Sequence, residues 1–299
     1  VIARFRKQFG KHMRSIFIQI LEIAATMGVF KVGDVALDGT KINANASKHK
    51  ALSYEYTLKL AKQIEDEIAL LIKKAEEADS KDFDELNIPN EIKKRQDRLV
   101  VIQAAKAEIE ARRKKRYEEE KAEYDAKTTE REAKEKARGR KLGGKKPTEP
   151  TPEPKSSDQV NLTDDESRIM PTPGGGFSQA YNAQASVDMD SRIIVHNHVT
   201  QNTNDKNELS PSLDQLEALP NSIGKVTKVA ADSGYDSQKN RVDSLNRGID
   251  LHLPKGREKH NNFLNNYIKN KGDSDESNKR REFYSRRKST IEPVFGIIK

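Results

Sequence analysis

The sequence predicts an α/β fold interrupted by a long antiparallel helical hairpin. Two short apolar runs each stop on an aspartate and then meet glycine, Val35-Ala36-Leu37-Asp38-Gly39-Thr40 and Val229-Ala230-Ala231-Asp232-Ser233-Gly234. The second run is followed by a helical segment and another alternating run, which is the order of a parallel βαβ unit. Between residues 51 and 138 the apolar residues keep heptad-like spacing instead.

In chain order, the first element is a helix over residues 12–30, with apolar positions at Ile16, Phe17, Ile20, Leu21, Ala24 and Met27 and with Gly28 as its C-terminal stop. Arg4, Arg6, Lys7, Lys11 and Arg14 precede or begin it, interleaved with Phe5 and Phe9. Residues 1–50 hold this helix and the strand ending on Asp38. Residues 51–138 form the hairpin: Leu60, Ile64, Ile68, Leu71, Ala75 and Ala78 make one seam, and Ile92, Leu99, Ile102 and Ile109 the other, joined through 79–90. Beyond Tyr117 the second helix is almost wholly charged and is expected to project into solvent. Residues 139–160, rich in Gly, Lys, Pro and Glu, read as a disordered or extended linker.

Order resumes over 161–299. Tyr181–Val187 and Arg192–Val199 alternate as two strands of a hairpin turned by Asp188-Met189-Asp190-Ser191. Gly174-Gly175-Gly176 before it reads as an entry loop, since no Lys-Ser or Lys-Thr helix start follows. His196 and His198 share one face of the second strand, but two histidines without a nearby third ligand read as surface or packing residues and not as a zinc site. A short helix near 208–219, the Asp232 strand, a helix from Ser237 to Arg247 stopped by Gly248, and a strand over Ile249–Leu253 follow. The last segment is a basic helix in which Ile291, Val294, Phe295 and Ile298 make the packed stripe, so Glu292 borders it.

Composition bounds what the chain does. Of its 299 residues 34% are hydrophobic and 34% charged, so much of it lies outside a compact core. There is no cysteine, which excludes disulfides and thiolate zinc sites and points to a reducing, cytoplasmic setting. No apolar run reaches the ~20 residues that span a bilayer, so no membrane partner is expected. The net charge of +8 is concentrated at the two ends, where a polyanion such as nucleic acid would be met. The chain opens at Val1 and stops at Lys299 in mid-phrase, and reads as a fragment truncated at both ends.

Two strand-terminal aspartates, then a glutamate on a basic helix: this order resembles the triad of DDE transposases encoded by bacterial insertion sequences. The matching motifs are Val35-Ala36-Leu37-Asp38-Gly39-Thr40-Lys41, Ala231-Asp232-Ser233-Gly234-Tyr235 and Glu292-Pro293-Val294-Phe295-Gly296, with Tyr181-Asn182-Ala183-Gln184 also similar. The resemblance implies a ribonuclease-H-like mixed sheet flanked by helices, with the hairpin as an insertion after the first catalytic strand. It implies Asp38, Asp232 and Glu292 as catalytic residues and metal ligands. Mg²⁺ is the implied cofactor, with Mn²⁺ as its substitute. Double-stranded DNA, both transposon ends and target, is the implied substrate, bound by a homodimer near the nucleoid. Related chains carry Tyr, two residues, Arg, three residues, Glu, six residues, Lys. Here Tyr284 to Arg287 and Glu292 to Lys299 fit, whereas four residues separate Arg287 from Glu292, so either Lys288 takes the arginine's role or the register differs.

The chemistry suits these residue types. In-line attack on a phosphodiester builds charge on both attacking and leaving oxygens, and two divalent ions held by a few carboxylates stabilise it. Lys41, Tyr284, Arg286, Arg287, Lys288 and Lys299 are the expected DNA contacts. A metal-dependent nuclease without strand transfer and a catalytically silent DNA-binding relic are the alternatives.

Overall fold

Strand β1 (Val32–Asn43) is the centre of the fold. Its apolar run faces two layers at once: Val35 and Leu37 join one core cluster, and Ala36, between them, joins another. A run without polar alternation is what a strand covered on both faces requires. On one side β1 pairs in parallel with β7 (Gly224–Ala231), and on the other antiparallel with β5 (Phe177–Asp188). Around them the sheet runs β4 (Arg168–Pro171), β5, β1, β7, β8 (Asp250–His252), with β6 (Ile194–Thr200) also paired to β5. The computed structural model describes residues 5, 8–78, 88–172, 175–254 and 274–298. Gly174, Lys299 and most of the expected 79–90 connection lie outside them.

Helices α1 (Met13–Thr26), α4 (Leu209–Glu217) and α5 (Gln238–Asn246) cover one face. Leu21, Leu209, Leu213 and Leu216 close the core there with Val35, Leu37, Val229, Ala231 and Tyr235. Two helix ends follow their sequence signals. Gly28 and Gly248, at φ 71° and 70°, take the left-handed conformation that glycine adopts without a Cβ clash. At the start of α5, the Ser237 side chain accepts the Asn240 N–H. The spacing of α1 is helical as expected, but only Phe17, Leu21, Ala24 and Ala25 pack inward, and Ile16, Ile20, Ile23 and Met27 stay exposed.

Helix α6 (Ser274–Ile298) covers the opposite face, where Ile291 packs on Ala36, Val187 and Ala230. Alanines beneath it let the helix approach the strands closely. Ile291, Val294 and Phe295 of the expected stripe pack there, the buried face extends one turn toward the N-terminus through Arg287 and Thr290, and Ile298 is exposed.

A second compact unit, Ala44–Ile169 with Phe177–Gln179, is built on α2 (Tyr54–Ala78) and α3 (Ile88–Arg138). Glu67 pairs with Arg95 and Tyr54 with Glu110, so the helices run antiparallel. Their core is the seam of Leu60 and Ile64 against Ile102, Ala105 and Ile109, closed by Leu52 of β2 (Ala51–Ser53) and Val160 of β3 (Gln159–Asn161).

Residues 139–160, expected to be a poorly ordered linker, run alongside α3 with hydrogen bonds to it and enter β3 at Gln159. Arg113 donates to the Thr151 carbonyl, Arg131 to the Leu142 carbonyl at 2.6 Å, and Lys121 pairs with Glu149 at 2.7 Å. The charged end of α3, expected to project into solvent, therefore directs some of its cations to the neighbouring segment.

Ser186 Oγ, His196, His198 and Glu208 make a hydrogen-bonded chain with steps of 3.0, 3.0 and 2.8 Å. Burial, with His198 beside it, pushes the His196 imidazole down to about 3. The unfolded chain takes up this proton near pH 6.5 and the folded one does not, so His196 subtracts stability as pH falls from about 6.5 toward 3. Replacing His196 with Gln should make the loss of thermal stability over that interval shallower, as followed by circular dichroism.

Candidate active site

The last parallel pair between β1 and β7 is Leu37 with Ala231, so the next residue on each strand is an acid. Asp38 and Asp232 therefore stand side by side, on the face that carries Ala36 and Ala230 and is covered by α6. The expectation that Asp38 ends its strand needs correction. Strand β1 continues to Asn43, paired with β5 alone, and only its parallel pairing ends at the acid.

Each carboxylate is oriented by the next backbone N–H: Gly39 donates to Asp38 Oδ1 at 2.9 Å, and Ser233 to Asp232 Oδ1 at 2.6 Å. Between them comes Arg287, 5% exposed, with Nη1 2.7 Å from Asp38 Oδ2 and Nη2 3.9 Å from Asp232 Oδ1. Its Nε is buried without a hydrogen-bond partner among the described residues, and its guanidinium lies 5.8 Å from the Tyr284 ring centre. Burial raises the Asp38 carboxyl above its ordinary value, against the opposing pull of Arg287 and the Gly39 N–H.

The other expected residues are placed differently. Glu292 is exposed, about 100° round the helix from buried Ile291. Among the described residues no three His, Asp or Glu side chains gather closely enough to hold a metal ion. The three acids thus do not form one cluster, because it is Arg287 on the inward face of α6 that meets the two aspartates. Lys288 is exposed, Arg286 pairs with Asp190 at 2.6 Å, and Tyr284 is half-buried against the α6 core. Lys41 is half-buried, 3.8 Å from Asp205, and burial lowers its ammonium pKa against the pull of Asp205, Glu208 and Asp38.

Sequence reasoning missed Asp205, which accepts N–H bonds from Asn182 at 2.7 Å and Gln184 at 2.8 Å. The alternation of two amides on a buried strand was the available signal. In donor chemistry the aspartate pair suits a hard divalent cation, and Arg287 between the two shows that the pair accepts positive charge.

A central strand paired antiparallel to a hairpin on one side and parallel to a βαβ unit on the other, with acids where the parallel pairing ends, defines a ribonuclease-H-like fold. The family model for the transposase DDE domain matches residues 148–299, just over half of the chain, and the chain belongs to that family. Neither a curated protein nor a solved structure matches it.

The ion pair makes a stability prediction. Asp38→Asn should cost about 2–3 kcal/mol, because it strands a buried guanidinium, whereas Asp232→Asn, at a side chain 50% exposed, should cost less than about 1 kcal/mol. Adding Arg287→Met to Asp38→Asn should restore part of the loss in a double-mutant cycle read by urea unfolding.

Proposed function

We propose that this chain carries the catalytic domain of a DNA transposase that cleaves and joins DNA strands, with Asp38 and Asp232 as its central acids and Glu292 as the third. The observation that supports this reading best is the parallel register that sets Asp38 beside Asp232 under a cation-bearing helix. Mg²⁺, or Mn²⁺ in its place, would be held by the Asp38 and Asp232 pair, with Glu292 proposed to join it from α6, and would supply stabilisation of charge growing on the phosphodiester oxygens. Asp38 and Asp232 are pre-aimed for that task by the Gly39 and Ser233 N–H groups.

Glu292 lies on the helix that packs over the same face, one residue beyond Ile291. Arg287 keeps the two aspartates close by offsetting their repulsion. The phosphate contacts of this proposal fall to Arg286 and Lys288, which are exposed on the same helix, with Tyr284, Lys41 and Lys299 as further candidates. The substrate is double-stranded DNA at transposon ends and target, bound by a homodimer in the bacterial cytoplasm at the nucleoid. The helical pair, within 51–138, is an insertion between the first two catalytic strands.

Nicking of supercoiled plasmid with Mn²⁺, followed by joining of a labelled end, tests the reading. Asp38→Asn, Asp232→Asn and Glu292→Gln should each reduce nicking to background, with DNA affinity unchanged for Glu292→Gln. Full nicking by Glu292→Gln would remove it from the triad, and cleavage without joining would leave a nuclease. Reversing Arg286 and Lys288 to Glu should weaken binding to all sequences and flatten its salt dependence by roughly one slope unit for each phosphate that is no longer neutralised.

A further inference from the structure

On the sheet face opposite α6, behind the two aspartates, lies a polar cluster that the proposed chemistry leaves unused. Asp205, in the loop from β6 to α4, is its centre. Its Oδ1 takes the side-chain N–H groups of Asn182 and Gln184, both buried on β5, at 2.7 and 2.8 Å. Gln184 is held in turn by the buried Tyr235 hydroxyl. The loop is tied down on both sides of Asp205. Asn182 also donates to the Asn202 carbonyl at 3.1 Å, Asn202 donates to Glu208 at 2.7 Å, and Asn240 donates to the Lys206 carbonyl at 2.8 Å. Two buried amides committed to one carboxylate are an expensive arrangement for a core, where apolar side chains would serve packing better.

What this arrangement does is fill the space beside the residue that follows Asp38 and beside the turn that follows Asp232. A Cβ at Gly39 would collide with Gln184 Nε2 and stand 2.6 Å from Asp205 Oδ1, while at Gly234 it would stand 3.5 Å from Asp205 Oδ2. One oxygen therefore occupies the place a side chain would take at the residue after Asp38, and the other lies beside the turn after Asp232. Gly39 is itself the N–H donor to Asp38, and Gly234 follows Ser233, the donor to Asp232. We infer that Asp205 is a positioning residue for the acid pair: braced by Asn182 and Gln184, it sets the backbone at Gly39 and Gly234 and thereby the direction of both carboxylates. Its catalytic consequence rests on the function proposed above, but its structural consequence does not.

The test uses the full chain with Asp205 intact, as Asp205→Ala and as Asp205→Asn, whose amide oxygen still accepts N–H bonds. Amide exchange measured by NMR should be about tenfold faster at Gly39 and Ser233 in Asp205→Ala, unchanged at Val35–Leu37, and restored in Asp205→Asn. In nicking assays Asp205→Ala should lower kcat with KM for DNA unchanged, and Asp205→Asn should recover it. If Asp205→Ala fails to fold, Asp205→Ser carries the same expectation. Unchanged protection at Gly39 and Ser233, or a uniform rise along β1, overturns the inference. So does an Asp205→Asn protein that keeps protection and loses activity, since its charge would then act directly. A wild-type chain that never nicks DNA refutes the proposed function alone, and the exchange result still decides the positioning role.

Discussion

The constraint on which this fold depends is the register between β1 and β7. Because their parallel pairing ends on Leu37 and Ala231, both following residues lie at the same level and on the same face. Two carboxylates placed there repel each other, and Asp38 is also withdrawn from water, which disfavours its charged form. Arg287 offsets this from α6, and α6 is placed to do so because Ile291, one turn further on, fits over Ala36 and Ala230. Helix docking and acid pairing are therefore one arrangement. An α6 shifted by a turn would lose its core packing and expose the acids to mutual repulsion together.

Polarity on the other face is graded along the strands. Toward the N-terminal end of β1 the face is closed by Val35, Val229, Leu213 and Leu216, with nothing to satisfy. Toward the acid end the buried positions become Asn182, Gln184, Ser186, His196 and Glu208, each with a hydrogen-bond partner. The histidine chain along β6 ends on Glu208, and Glu208 fastens the loop that carries Asp205. In this low-dielectric setting an unmade bond costs more than at the surface, so such a network tolerates few geometries. Rigidity is thereby concentrated where two strand ends must keep a fixed separation.

Much of this was legible in the sequence, for physical reasons that differ by element. The helical pair was readable because a narrow seam leaves its period in the chain, as Leu60, Ile64, Ile102 and Ile109 show. The aspartates were readable because a run buried on both faces stops abruptly when it meets a charge. The full length of β1 was not. Gly39-Thr40 has the composition of a turn, and only the long antiparallel partner β5 keeps those residues extended. Asp205 was hidden because its partners lie more than twenty residues away, and a loop of Asn, Thr and Asp carries no mark of which residue turns inward.

Arg287 is the instructive intermediate case. Within Arg286-Arg287-Lys288 nothing in composition separates one cation from the next, and the irregular spacing to Glu292 left the role open between two of them. The helix resolves it by periodicity. Among the described residues of α6, Ile291 is buried completely against the strands, and the position four before it, one turn toward the N-terminus, must share that face. That position is Arg287, and its neighbours, rotated about 100° to either side, are left to solvent. A cation on the covered face of a helix requires an anion beneath it. The two aspartates where the parallel pairing ends are the anions that the register supplies, so the inward direction of Arg287 follows from the burial of Ile291 together with the acids at Asp38 and Asp232.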